Sequence, residues 1–422
     1  MLIDRQKALL FAAAAAVRLL LFTAFPSLPS LLAGRVEVST PVTSFKRLQE
    51  GLFLYTHDVS PYDGGVYHQA PLLLPLFSLL PNTSYYPFAT NLVYIAVDLL
   101  GANALMQIAE SGQSATTRLF KSSRNDLRWS SVAIGAGFLF NPFTVATCIA
   151  RSTSALANLF ILMAMAKASQ GASITFVFAL SIAAYLSMHP LLLFPPLLIL
   201  CYDARATRSR QAPNAFTFTA IYALGLVVSL GSLLYISSVL TSSWEFLAST
   251  YGVRLLLPDL TPNVGLWWYF FTEMFDSFRE FFLGVFWVHV ASYMPGLTIR
   301  LRKQPLFVAT TLTGIFAIFT PYPSIADAAL YLSLVPLFRH LFPLMRYTFL
   351  ASSTILYASF LGPAFYYLWI YAGSGNANFF YAITLVWSLG LSVVVGDSLY
   401  AALRDELDVE RPELRGKEVK RI

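Results

Sequence analysis

The residues of this chain that suit chemistry are few and widely spaced. Five histidines stand at positions 57, 68, 189, 289 and 340, and no two are four apart, the spacing that aims two imidazoles from one helix face at a zinc ion. Cys148 and Cys201 both lie in apolar runs and form no Cys-x-x-Cys. They read as buried packing residues, and neither has a base near it in sequence. No Gly-x-Gly-x-x-Gly and no P-loop pattern occurs. No catalytic residue, metal or cofactor is therefore assigned.

Groups suited to binding fall in three segments. The first contains Arg35-Val36-Glu37-Val38, an amphipathic piece with Phe45, Leu48, Leu52 and Leu54, and the turn Asp58-Val59-Ser60-Pro61-Tyr62-Asp63-Gly64-Gly65. The apolar spacing predicts an interfacial helix, and the turn residues supply the bend. This segment reads equally as a packed loop or as a surface facing a substrate. The second runs from Pro258-Asp259-Leu260-Thr261-Pro262-Asn263 into Leu266 to Thr272, seven positions holding five aromatics, with Glu273 at the end. A belt at the membrane face explains Trp267, Trp268, Tyr269, Phe270 and Phe271 simply; a groove for lipid is the sharper alternative, with Asp259 and Asn263 at its mouth. The third is the uncharged turn Gly373-Ser374-Gly375-Asn376-Ala377-Asn378, followed by Phe379, Phe380 and Tyr381. Its glycines and asparagines suit a tight turn, and its two amides suit sugar or phosphate oxygens.

The elements that must position these segments follow from composition. Of 422 residues, 57% are hydrophobic and 12% charged, about half the charge of a soluble domain. Apolar runs near 20 residues match a bilayer core of about 30 Å, and backbone in lipid must satisfy itself as helix. About twelve spans are predicted, near 9–32, 84–109, 131–149, 152–168, 171–187, 189–202, 215–240, 278–299, 306–321, 324–338, 347–370 and 378–401. The segment from Ala70 to Leu80, broken by Pro71 and Pro75, is too short to cross. Arg18 interrupts the first span, and snorkelling is its simplest explanation.

The net charge of +6 comes from basic clusters in short turns. Arg5 and Lys7; Arg118, Lys121, Arg124 and Arg128; Arg205, Arg208 and Arg210; Arg300, Arg302 and Lys303; Arg339 and Arg346; and the tail from Arg404 to Arg421 share one parity. The positive-inside rule makes that side cytoplasmic, with both termini on it. Loop 34–69 and the other two segments then face the opposite side, as does the sequon Asn82-Thr83-Ser84. Residues 1–403 form one transmembrane domain and 404–422 a charged cytoplasmic tail.

These segments carry a resemblance. Arg35-Val36-Glu37-Val38 with Ser60-Pro61-Tyr62, Pro258 to Asn263 with Trp268-Tyr269-Phe270-Phe271, and Asn376 to Thr384 resemble the PIG-U family, the polytopic subunit of glycosylphosphatidylinositol (GPI) transamidase. Asn141-Pro142 and Pro321-Tyr322-Pro323 match between them, so the likeness spans nearly the whole chain in order. It implies an endoplasmic reticulum membrane protein that works with the other transamidase subunits, one of which holds the Cys/His chemistry. It also implies a GT-C-like membrane scaffold, similar to lipid mannosyltransferases. Those enzymes carry acids ahead of the Ser-Pro-Tyr turn, where Val38 to Ser44 has none and Glu37 stands alone.

The expectation is an all-α, polytopic bundle of about twelve spans with a lumenal interfacial helix. It is a non-catalytic subunit that binds the GPI glycolipid among membrane lipids and presents it, with no nucleic acid partner. Asn376, Asn378, Ser374, Phe379, Phe380, Tyr381, Asp259, Asn263 and Trp267 to Phe271 are the candidate lipid contacts. A dolichol-phosphate-sugar-dependent GT-C glycosyltransferase using Glu37 or Asp58 is the alternative. A transporter, with Arg18, Asp98, Glu273 and Asp327 as its intramembrane charges, is a further one, but no internal repeat accompanies them.

Overall fold

In the computed structural model, which describes residues 2–83, 85–209 and 212–417 (backbone only for 2 and 3), the apolar runs are helices, and no strand occurs among the described residues. Ser84 of the sequon, and Arg210 and Arg421 of the basic clusters, lie outside them. In chain order the first helices are α1 (Leu2–Ala24), α2 (Leu28–Ala33), α3 (Phe45–Thr56), α4 (Leu73–Ser78), α5 (Pro87–Ser111) and α6 (Ser131–Leu139). Next come α7 (Pro142–Ile149), α8 (Ser154–Ser169), α9 (Ser173–Leu186), α10 (Phe194–Arg208), α11 (Ala215–Thr241) and α12 (Val253–Leu256). The chain ends with α13 (Trp267–Thr272), α14 (Asp276–Arg300), α15 (Pro305–Phe319), α16 (Ile325–Leu334), α17 (Thr348–Ile370) and α18 (Ala377–Glu410).

Among the described residues, seven helical stretches are long and apolar enough to cross a membrane: Asp4–Ala24, α5, α11, α14, Ile325–Leu344, α17 and α18. The pair α6–α7 makes an eighth if counted as one span, bent by 52°. The bend has a local cause. Pro142 cannot continue the ladder from α6, and Asn141 restarts it by accepting a bond from Phe143 N (2.9 Å). α8, α9 and α15 are apolar but shorter, 14 to 16 residues each, or about 21–24 Å at 1.5 Å per residue. α15 is buried along nearly its whole length, from Pro305 to Ile318.

The expected helix in loop 34–69 is α3, which buries Phe45 and Leu48 against Phe77 and Tyr94 while Phe53 stays exposed. The proline-broken segment after it yields only the six-residue α4. Arg18 does not snorkel. It is fully buried and paired with Asp98 of α5 (2.7 Å), and donates to the carbonyl of Leu139 at the end of α6 (2.9 Å). One side chain thus ties α1, α5 and the α6–α7 bend together, because a guanidinium in an apolar interior must find both charge and acceptors.

The basic turns gather at one end of the bundle. Arg118 and Arg302 share Asp203; Arg124 bridges Asp405 and Asp408; Lys303 meets Glu410 and Arg300 meets Glu406. The pairs made by Asp405, Glu406, Asp408 and Glu410 clamp the last turns of α18, which continues as helix past residue 404 to Glu410.

Candidate functional site

α17 and α18 are an antiparallel hairpin that turns at Gly373, in the left-handed region (φ 64°) that glycine tolerates. They pack so closely that a Cβ on Gly390 would come within 2.8 Å of Ile355. Between this hairpin, α2 and α7 runs an apolar groove of about 390 Å³, within the size range of ligand sites. Leu31, Phe143, Ala358, Phe380, Ile383 and Trp387 line it. Pro363 lies inside α17 and offers no N–H to the carbonyl of Ser359, so an acceptor is released in the groove wall. The buried indole N–H of Trp387 has no acceptor among the described residues.

The mouth of the groove is charged. Arg35 holds Glu37 through two bonds, Nε to Oε2 (3.1 Å) and Nη2 to Oε1 (2.8 Å), the fork geometry that makes such pairs strong. The same guanidinium lies over the Tyr366 ring at 5.4 Å and donates to the carbonyl of Pro363 (3.3 Å). Arg35 and Glu37 thereby bind the first loop to α17.

Two of the three sequence segments meet beside this mouth. Trp268 packs on Trp369, Phe380 and Tyr381 at 5.8–6.2 Å, and Tyr269 stacks on Tyr381 at 4.5 Å. Tyr269 donates its hydroxyl to Asn378, and Tyr381 donates to the carbonyl of Leu266 (3.2 Å). Phe380 belongs both to this cluster and to the groove lining.

The aromatic block divides by helical periodicity, which puts positions i, i+3 and i+4 on one face. Trp267, Phe270 and Phe271 turn to the other side, against Phe282, Phe286 and Trp287 of α14, and Trp267 donates to the carbonyl of Phe319 (2.9 Å). Glu273 ends the block in an exposed position, which removes the cost of a carboxylate among aromatics.

Asp259 and Asn263 are not brought to the groove. Asp259 pairs with Arg47 of α3 (3.1 Å) and accepts from Thr261 N (2.9 Å). Burial alone would raise its pKa, but the Thr261 and Arg47 bonds prevail and hold it below the usual carboxylate value. Asn263 is fully buried and shapes its own loop, accepting from Gly265 N (2.7 Å) and donating to the carbonyl of Thr261 (3.2 Å). Asn376 is the N-cap of α18, accepting from Phe379 N (3.3 Å). Ser374, Asn378 and Phe379 are exposed at the hairpin tip.

A family model described as GPI transamidase subunit PIG-U matches residues 12–387 of this chain. The chain belongs to the PIG-U family. The GPI-anchor transamidase component PIGU of Homo sapiens is 36% identical over 415 residues, covering 94% of each chain. The GPI transamidase component GAB1 of Saccharomyces cerevisiae is 36% identical over 404 residues, covering 95% of this chain and 96% of the relative. Its homolog in Schizosaccharomyces pombe is 38% identical over 392 residues, covering 92% and 91%. Within this PIG-U chain the matched stretch reaches from α1 through the aromatic corner to Trp387 in the groove wall. Phe143, Ser359, Pro363 and Trp387 were not singled out in the sequence. Each lies in an apolar run, and only the packing of three separate helices makes them neighbours.

Proposed function

We propose that this chain is the non-catalytic, lipid-holding subunit of a GPI transamidase in the endoplasmic reticulum membrane. Its partners are the other transamidase subunits, one of which performs the Cys/His chemistry. What supports the reading is that its relatives are named as transamidase components and that an apolar groove opens beside a polar, aromatic-lined mouth. The acyl portion of the GPI lipid lies in the groove, and the Trp387 N–H is available to an ester carbonyl. Trp268, Tyr269 and Tyr381 form the wall at the mouth. Asn376 and Asn378, at the hairpin tip, orient the glycan or phosphate. Such positioning lowers the entropic barrier of a transfer that another subunit catalyses.

In this reading the scaffold is GT-C-like and crosses the membrane about twelve times. The crossings are the seven long stretches, the bent α6–α7 pair, and α8, α9, α10 and α15 in the interior. An even number leaves both termini on one side, which the basic turns make cytoplasmic, and the hairpin tip in the lumen. A transferase is less well supported, because Glu37 is already engaged by Arg35.

A gentle-detergent pull-down of the tagged chain, with mass spectrometry of bound proteins and lipids, tests the reading. Recovery of a cysteine-protease-like partner together with a GPI lipid is the expected result. A chain recovered alone with a dolichol-linked sugar would overturn it.

A further inference from the structure

Two arginines are buried among the described residues, Arg18 and Arg254. Arg18 has Asp98 and two backbone carbonyls. Arg254, in the short helix α12, is 9% exposed. It makes no hydrogen bond or ion pair among the described residues, and its Nε is shut away without an acceptor. Arginine does not lose its proton under any ordinary condition, so an unpaired buried guanidinium is among the costliest groups a fold can carry.

Arg254 lines a cavity of about 40 Å³ together with Thr43, Gln69, the first turn of α8, His189 and Asp327. By this measure a water takes at least about 10–15 Å³ while occupying about 30 Å³ of liquid. The space therefore suits about three waters, or one tetrahedral oxyanion of similar bulk.

Two further features favour the anion. The 16-residue α8 starts at this cavity, and its N-cap Thr153 makes no side-chain bond to the first turn. The Thr153 hydroxyl instead donates to the carbonyl of Thr43 (3.2 Å). The N–H groups of Ala155 and Leu156 donate to the carbonyls of Ser152 (3.2 Å) and Thr153 (3.1 Å), which leaves the Ser154 N–H and the positive end of the dipole to the cavity. Gln69 donates its amide to the carbonyl of Ser44 (2.7 Å), and its buried Oε1 has no donor, which suits a protonated oxygen of the bound group.

Asp327 is the one opposing charge in the lining. Its Oδ2 is turned onto the N–H (2.8 Å) and hydroxyl (3.0 Å) of Ser324, closing the capping box of α16. It forms no ion pair with Arg254 and offsets that charge only in part, and the end of α8 adds about half a positive charge.

We propose that this cavity binds a phosphate group, with Arg254 as its counter-charge and the Ser154 N–H at the start of α8 beside it. No residue lines both this cavity and the apolar groove, so the inference stands independently of lipid presentation. A phosphate carried on a lipid and free phosphate share the chemistry, and the experiment separates them.

The assembled complex is purified in gentle detergent and chloride buffer, and the full chain is examined by native mass spectrometry. In parallel, the unfolding midpoint is titrated with inorganic phosphate against sodium chloride at matched ionic strength. If the phosphate is lipid-borne, the wild-type chain retains one phosphorus-bearing lipid that Arg254→Gln releases. If it is free, inorganic phosphate raises the wild-type midpoint, and Arg254→Gln shifts that titration by about 100-fold. A wild-type chain showing neither response overturns the proposal and leaves a hydrated cavity; this arm needs no variant. A response unchanged in Arg254→Gln overturns it too. Should that variant fail to assemble, Arg254→Lys keeps the charge but loses the planar fork, and an undiminished response there counts against the assigned role.

Discussion

A ring placed in the apolar groove should expel whatever chain lies there, and Ser359 is the position from which to place it. Ser359 lines the groove from α17 and is half-buried. Its hydroxyl only bonds back to the carbonyl of Ile355 one turn earlier (2.7 Å). Serine and phenylalanine have similar helix propensities, so Ser359→Phe leaves α17 about as stable as before. The substitution replaces a hydroxyl with six ring carbons. If about four methylenes of an acyl chain are displaced, at about 0.8 kcal/mol each, binding loses about 3 kcal/mol, or about 100-fold in Kd. The assay is the amount of GPI lipid recovered per assembled complex by mass spectrometry. Ser352→Phe serves as the control, since Ser352 makes the same kind of back-bond (2.8 Å to the Thr348 carbonyl) on an exposed face of the helix. Wild-type lipid recovery from an assembled Ser359→Phe complex would refute the placement of the acyl chain in this groove.

The hairpin tip gives a second prediction: Asn376→Ala with Asn378→Ala reduces GPI attachment to a reporter while the complex still assembles. Asn376→Ser, which keeps a cap, should retain the roughly 1 kcal/mol that alanine loses; full attachment by the double variant would remove the polar role of the turn. Breaking the buried pair with Arg18→Met should lower stability by about 3–5 kcal/mol, and adding Asp98→Leu should restore most of it. Thermal unfolding read by a thiol-reactive dye reports this, because Cys148 and Cys201 are both buried and free. The Asp259 carboxyl, held below its usual pKa despite its burial, contributes stability that is complete above about pH 4 and is lost as pH falls through the lower folded value. Its partial exposure limits the contribution to about 1 kcal/mol, and limited proteolysis of the wild type and Asp259→Asn between pH 5 and 3 measures it.

The sequence made the helices legible because apolar length and polar turns are local properties. It also located α3, the hairpin tip and the segment carrying the aromatics. What it left undecided depends on packing. Counting apolar runs cannot separate a helix that spans lipid from one enclosed by neighbours, and α15 shows why. With nearly every residue buried in protein, its length is freed from the thickness of the bilayer. The aromatic block read as one surface, yet a single turn of helix sends Trp268 and Tyr269 toward α18 and Trp267, Phe270 and Phe271 toward α14. Asn263 and Asp259 had the chemistry of ligand contacts but satisfy their own loop and Arg47. Arg18 had a local explanation that its partner, 80 positions away, displaced.

The distribution of charge also argues against chemistry at the groove. A general acid or base must keep a lone pair or proton for the substrate, at hydrogen-bond distance and in the right state. Among the described residues, two carboxylates line the groove and the polar cavity, and both are engaged. Glu37, the carboxylate of the groove, gives both oxygens to Arg35, and Oδ2 of Asp327, in the separate polar cavity, closes the capping box of α16. Releasing Glu37 would leave Arg35 unmatched against Tyr366 and loosen the first loop from α17. The acid that could act on a substrate is therefore the one that holds the mouth of the groove in shape. Other enclosed cations are engaged as well, by carboxylates at Arg18, Arg35, Arg47 and Arg124 and by the Asn91 amide oxygen at Arg151. Against that pattern the unpaired Arg254 stands out as a group whose partner comes from outside the chain.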